Sequence, residues 1–341
     1  MDHIAIDLGG TESQICVRAQ DGSILEEVRV GTLRLASYLK KRPPSRVILE
    51  TSSEAFRIAD AARELGHDVR VVPATLAPSL GVGARGIKTD ARDARVLSEV
   101  SLRIELPSVH IPSEISRTWK SCCSARESLV TARTQLINAV RGWMRRELLK
   151  IPSGGIGTFP RRVRLRAQAA ECGLPEFIDS LLCVIDLLND RIAYADKELK
   201  DLATEHPVCK RLMTIPGVGP VTALRFVAAI DRVERFPNAH ALECYLGLVP
   251  GENSSAKRKY RTGITKAGPP RVRWALGQAA WVLVIKRPLD PLALWAKEVE
   301  KRRGKLIANT ALARRLAGVM YAIWRDGTRY EPSRLRPRSA A

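Results

Sequence analysis

Four carboxylates stand out by position. Asp7 closes a short apolar run, HIAID, and Glu50 closes another, VILE. Asp90 and Asp93 lie three apart at the start of a helical stretch, DARDARVLSEVSL, so they share one helix face. If the two apolar runs are neighbouring strands, their ends and the start of that helix converge. Carboxylates clustered in this way repel one another unless a cation neutralises them. Oxygen ligands suit magnesium or manganese, and two such ions can activate a nucleophile and stabilise a leaving oxygen in phosphodiester chemistry. Asp7, Glu50, Asp90 and Asp93 are therefore expected to hold Mg2+ or Mn2+, with two ions as the natural complement.

A second group lies in GLVPGENSSAKRKYRTGITKAGPPRVRWAL, residues 247–276. Ser254 and Ser255 sit in a polar turn, followed by Lys257, Arg258, Lys259, Arg261, Lys266, Arg271 and Arg273. A serine hydroxyl is a poor nucleophile until neighbours stabilise its oxyanion, and clustered cations can do that while holding a pentavalent phosphorus. On residue types alone the segment reads first as a phosphate-contacting surface, with a nucleophilic serine as the sharper alternative. Upstream, IPGVG (215–219) resembles the turn of a helix-hairpin-helix element. There Gly217 and Gly219 would let backbone amides approach a DNA phosphate with no Cβ in the way. A plain glycine-rich helix connection is the alternative.

The elements that must position these groups fall into three parts. Residues 3–7, 13–19 and 24–30 read as strands with tight turns between them. A helix near 32–41, a strand at 47–50, a helix at 54–65, a strand at 69–72 and a helix from about 90 complete a mixed α/β layer fold, expected over 1–105. A proline-punctuated linker, 105–113, leads to long helices over 114–150 and about 178–202, separated by a Gly/Pro-rich break and a basic patch at 161–166. Ile178, Leu181, Ile185, Leu188, Ile192, Ala195, Leu199 and Leu202 follow a coiled-coil spacing. A weaker seam runs through Ile115, Trp119, Cys122, Leu129, Leu136, Val140 and Trp143, with Arg126 and Arg133 at two of its positions. An antiparallel helical hairpin over 106–205 is expected, either a spacer or a device for pairing subunits. Residues 206–341 are expected to form a mostly helical third domain with a basic tail.

Charge divides the chain more sharply than its total of +20 suggests. Residues 1–100 hold 14 basic and 14 acidic residues, whereas the remaining 241 hold 42 and 22. A neutral domain is joined to a strongly basic one, which points to a polyanionic partner, most simply nucleic acid. With 45% hydrophobic residues the chain can bury a core, which excludes a mainly disordered protein. Its longest apolar run, Trp274 to Ile285, is 12 residues, short of the roughly 20 a bilayer needs. The N-terminus lacks the basic and apolar regions of a signal peptide, so a cytoplasmic location with no membrane partner is expected. Seven cysteines, an odd count with no CxxC pair, read as reduced and mostly buried thiols.

Together the motifs resemble the insertion-sequence transposases of the IS one-ten and IS eleven-eleven group, the bridge-RNA-guided recombinases. ILETS around Glu50 and KTDARDA around Asp90 and Asp93 resemble their RuvC-like, RNase H-type DEDD domain. IPGVGPVTA, YLGLVPGENSSAKRK and GITKAG resemble their C-terminal transposase domain. The resemblance implies metal-binding carboxylates and a serine that forms a covalent phosphoserine link to DNA. It also implies an active site shared between subunits of a homo-oligomer, a dimer or tetramer. A structured guide RNA pairing with donor and target DNA, on the nucleoid of a bacterial cell, is implied as well. The family's serine falls five residues after the proline of GLVP, which is Ser255 here, with Ser254 as the runner-up. Gly10, Ser53, Ala256 and Pro269-Pro270 depart from the residues common at those places. Two other readings stay open: a RuvC-like structure-specific endonuclease using water as nucleophile, and an inactive nucleic-acid-binding relic. Asp7-Leu8-Gly9-Gly10-Thr11 also resembles the phosphate loop of sugar kinases and actin-like ATPases, but that reading needs a second phosphate loop with an Asp, Gly and Thr, and the basic C-terminal half offers no convincing one.

Overall fold

Alternation along the strands decides how the first unit folds. In β1 (His3–Asp7), Ile4 and Ile6 point to one side of a sheet and Ala5 to the other, all fully buried. The same two-sided burial recurs in β2 (Glu12–Arg18), following which β3 (Ile24–Gly31) closes an antiparallel meander. A short helix, α1 (Leu35–Leu39), leads to β4 (Arg46–Glu50), then α2 (Ala55–Glu64) and β5 (Asp68–Val72). The sheet order is β3-β2-β1-β4-β5, with β1, β4 and β5 parallel. Ile4, Ile6, Val47, Leu49, Val69 and Val71 pack against Leu35, Leu39, Ala55, Ala59 and Ala62 of α1 and α2. Ala5, Ile48 and Val72 face the other way, onto Leu97 of α3 (Asp90–Arg103). The expected mixed α/β layers are thus present in the expected order.

The computed structural model describes residues 1–76, 89–170, 173–255 and 258–334, and of 253–255, 258–261 and 334 the backbone path. The chain divides into two compact units, Met1–Pro112 and Ser113–Ala341.

The second unit is mainly helical. It opens with α4 (Glu114–Arg146), then α5 (Phe159–Gln168) and α6 (Glu176–Glu205). α4 and α6 run antiparallel: Arg126 bonds Asp196 at 2.8 Å, and Arg133 bonds Asn189 at 3.0 Å, seven residues on along α4 and seven back along α6. These bonds give a partner to each of the two arginines that interrupt the apolar seam, although Arg133 Nε and Asn189 Nδ2 stay buried without one. The seam itself differs from its sequence reading on α4. Cys123 and Ile137 are buried, while Ile115 and Cys122 are exposed. α4 is covered by α8 (Pro220–Ile230) as well as α6, so its buried stripe turns toward both partners. Between them, Arg225 of α8, 6% exposed, donates to Glu127 at 2.7 Å and to the Cys123 carbonyl at 3.0 Å.

The start of α4 is also fixed from α8. Asp231, which ends α8 in a tight turn at φ +65°, accepts from the Ser113 amide and from the hydroxyls of Ser113 and Ser116. α7 (Pro207–Leu212) and α9 (Ala239–Tyr245) complete this half, with His206 capping α7. A two-stranded sheet, β6 (Pro250–Ser255) and β7 (Arg258–Ile264), then projects before α10 (Pro270–Lys286), α11 (Pro291–Arg303) and α12 (Lys305–Asp326). The first end of α4 and the last end of α6 share a core with α7–α12 that includes Trp119, Leu199, Phe226, Leu276, Leu312 and Met320.

Among the described residues no helix is long and apolar enough to cross a membrane. The six described cysteines are free thiols. Cys16, Cys123 and Cys209 are buried, but Cys122, Cys183 and Cys244 are exposed, so burial is less general than expected. Burial pushes the Cys123 thiol up to about 11 and Cys209 up to about 12.

Candidate active site

Asp7 and Glu50 end adjacent parallel strands. Ile6 lies opposite Leu49, and the two acids are the next residues on each strand. Strand parity puts both on the face covered by α3, because Ala5 and Ile48, two residues earlier, pack with Leu97 of that helix. α3 runs back along β1: Ser101 hydrogen-bonds His3, and Leu97 clusters with Ala5. Four helical residues advance about 6 Å and two strand residues about 6.6 Å, so the next rung sets Asp93 over Asp7. Asp93 is 3% exposed, whereas Asp90, one turn earlier, is exposed. The Thr89 side chain caps this helix by accepting from the Arg92 amide.

The turn behind Asp7 is pinned. A side chain at Gly9 would collide with the Glu12 carbonyl. The Gly9 amide points to Ser13 Oγ at 3.4 Å, and Thr32 donates to the Gly9 carbonyl at 2.7 Å while bonding Ser13 at 2.8 Å. That amide is turned inward rather than offered to a phosphate, unlike the amides of a kinase-type phosphate loop.

The donor set at this sheet end, three carboxylates on one face with a fourth at the rim, has the hard-oxygen chemistry that divalent magnesium or manganese takes. Asp7 and Glu50 suit a shared ion by their adjacent placement. Among the described residues, however, no three His, Cys, Asp or Glu side chains are grouped closely enough to hold a metal.

The serines lie on the β6–β7 hairpin. In its register Ser254 is opposite Lys259 and Ser255 opposite Arg258, while Arg261 is opposite Glu252. Lys257 lies outside the described residues. The base of this hairpin is where two sequence motifs lock together. Gly247, at φ +66°, and Gly268 each pack so tightly that a Cβ on either would collide with backbone of the other motif. The Thr265 amide donates to Val249 at 2.9 Å and the Lys266 amide to Gly247 at 3.1 Å. Lys266 itself is exposed and held in a left-handed conformation, φ +57°.

The remaining sequence candidates divide by what they already touch. Arg273 donates to the carbonyls of Leu246 and Gly268, and its pKa is lowered by burial. Arg271 bonds Ser124 and pairs with Glu127 at 3.1 Å, so Glu127 is held between Arg271 and Arg225. Gly217, at φ +89°, is packed against the Ala279 carbonyl of α10, which accounts for glycine there by helix packing. Around Gly219, at the start of α8, the space is open. The hairpin clamp and the Arg225–Glu127–Arg271 group have no signature in residue type or spacing.

Comparison with known proteins meets this geometry at both ends. Residues 4–147 match the DEDD transposase model of the IS110 group, and residues 209–292 match the transposase IS116/IS110/IS902 family. The chain is 27% identical to a transposase for insertion sequence element IS1111A of Coxiella burnetii, over 94% of this chain and 88% of that protein. It is 26% identical to a transposase for insertion sequence element IS1328 of Yersinia enterocolitica, over 95% and 97%. It is 31% identical to a putative transposase of Sinorhizobium fredii, over 81% and 74%. With acids at the expected strand ends, the motif glycines interlocked and relatives matching nearly end to end, the chain belongs to the IS116/IS110/IS902 family of transposases.

Proposed function

We propose that this protein cuts and rejoins DNA for an insertion sequence by transesterification through a phosphoserine. The observation that carries the reading is the common face shared by Asp7, Glu50 and the buried Asp93 at the end of β1 and β4. It supports an RNase H-like, RuvC-type arrangement of the DEDD residues, with Asp90 at the rim. A divalent ion, when bound, supplies Lewis acidity at the scissile phosphate. Asp7 and Glu50 would hold it, with Asp93 and Asp90 completing the set.

Ser255 is the nucleophile in this reading. Its Oγ–P bond forms as the P–O bond to the departing strand breaks, and the hydroxyl proton ends on the departing oxygen. Attack by a hydroxyl of another strand then reverses the step and frees the serine. Arg258 and Lys259, opposite the two serines in the hairpin register, would stabilise the phosphorane charge. The positive charge of residues 101–341 suits a DNA substrate, and the family resemblance adds a structured guide RNA and an oligomer as partners.

Trapping tests the reading directly. Incubation of the protein with DNA bearing the element's ends and Mg2+, followed by denaturation, is expected to leave a protein–DNA adduct, mapped by peptide sequencing to Ser255. Magnesium-dependent nicking with no adduct would instead show a water-using nuclease.

A further inference from the structure

The far end of the helical hairpin carries a strong excess of positive charge. Residues 141–168 hold eight basic residues and a single acid, Glu147. Arg164 is neutralised by Asp179 at 2.8 Å and Asp186 at 2.7 Å. Arg145, Arg146, Lys150, Arg161 and Arg166 are exposed, and none of them pairs with an acid among the described residues. α5 is held against the ends of α4 and α6 by Trp143, Met144, Phe159, Val163, Ile178 and Leu182, so these charges sit on one packed body.

At the centre of this end stands Leu148. α4 stops there in a Schellman turn: the Leu148 amide bonds the Arg145 carbonyl at 3.2 Å and the Leu149 amide bonds Met144 at 2.8 Å. The residue after such a helix end takes left-handed backbone and is usually glycine. Here it is Leu148, at φ +55° and 93% exposed. The sequence thus accepts both backbone strain and a bare apolar side chain at one position. Its neighbour Leu149 packs inward with the cluster around Met144, so packing of the turn does not require Leu148. Strain of this kind gathers at functional sites. Apolar side chains set among cations are what wedge between base steps in proteins that bend DNA.

We propose that this end of the hairpin grips duplex DNA, with Arg145, Arg146 and Lys150 on the phosphates and Leu148 inserted between base pairs. The proposal rests on the reading that the protein acts on DNA.

The test uses the full-length protein and a duplex of about 30 base pairs, some three helical turns, with a donor and an acceptor dye at its ends. Binding is titrated at several salt concentrations, and bending is read from energy transfer. In Arg145→Gln/Arg146→Gln/Lys150→Gln the salt dependence of log K is expected to flatten by about 3 units, near one per lost contact. Leu148→Gly, which suits the left-handed turn, is expected to keep or raise the melting temperature yet lose the bend. A control triple on α11, Lys301→Gln/Arg302→Gln/Arg303→Gln, is expected to change the slope less. Tip variants that match a DNA-binding wild type, a control that matches the tip triple, or a bend that survives Leu148→Gly would each overturn the proposal. So would losses confined to an RNA duplex of the same sequence. A wild type that binds no duplex at all would overturn the functional reading itself, and the wild-type titration alone reveals that case.

Discussion

Arg273 donates from Nη1 to the Leu246 carbonyl at 3.1 Å, and the same nitrogen bonds the carbonyl of Gly268. One side chain on α10 therefore ties together the two loops from which the serine hairpin springs. A guanidinium with Nη1 committed in this way is expected to position the hairpin rather than to contact phosphate. Arg273→Lys is expected to lower recombination at least tenfold while duplex affinity and its salt dependence change little, because lysine keeps the charge but not the planar fork. Amide exchange at Thr265 and Lys266 is expected to quicken, a readout independent of the chemistry. An affinity loss with a flatter salt slope would make Arg273 a phosphate contact after all.

Asp7→Asn and Glu50→Gln are expected to abolish adduct formation, by more than a hundredfold, and to leave DNA binding within about twofold, since phosphate contacts dominate affinity. Asp93→Asn is expected to act likewise, with thermal melting run alongside because the residue is buried. Plasmid recombination at the wild-type rate by any of the three would remove the carboxylates from the mechanism.

The two serines differ in expected role although they are neighbours in one strand. Ser255→Ala is expected to remove the covalent product altogether, and Ser254→Ala to reduce it several-fold. A gel of denatured reaction products decides between them, and the reverse pattern would assign the attack to Ser254.

His206 links stability to pH. Its Nδ1 accepts from the Cys209 amide at 3.4 Å, and its ring stands edge-on to Trp119 with centroids 4.9 Å apart. Burial, with a smaller contribution from Arg211, lowers its pKa below the ordinary 6.5. Folding thus favours the neutral ring. The stability it contributes is complete above about pH 6.5 and is lost as pH falls toward the folded-state value. Melting temperature is expected to fall between pH 7.5 and 5, and less steeply in His206→Asn, which keeps a capping acceptor without the titration. Burial lowers His3 in the first unit as well, so some acid sensitivity is expected to remain. Parallel slopes for wild type and variant would show that His206 is not a source.

The acids were legible in the sequence because strand alternation and a helix start are local signals. Ile4, Ile6, Val47 and Leu49 mark the strands, and Thr89 marks where α3 begins. The serine hairpin was not legible. PGENSSAKRKYRTGI carries polar residues at both strand parities, so the sequence shows no alternating apolar face to mark the two strands. The clamp at its base depends on which backbones meet, and Gly247 and Gly268 carry no sign of each other. On α4 the buried stripe takes Cys123 in place of the expected Cys122, because a single heptad template assumes one partner, whereas α4 has two.

The seven-residue step between the Arg126–Asp196 and Arg133–Asn189 bridges has a mechanical consequence. Two long helices cross-linked at matched intervals resist sliding and bending, so they behave as a ruler. α4 alone has 33 residues, about 50 Å at 1.5 Å each. At 3.4 Å per base pair that is roughly 15 base pairs of duplex. The basic end around Leu148 and the Ser113 end of the same helix are thus separated by a fixed distance of about one and a half turns of DNA.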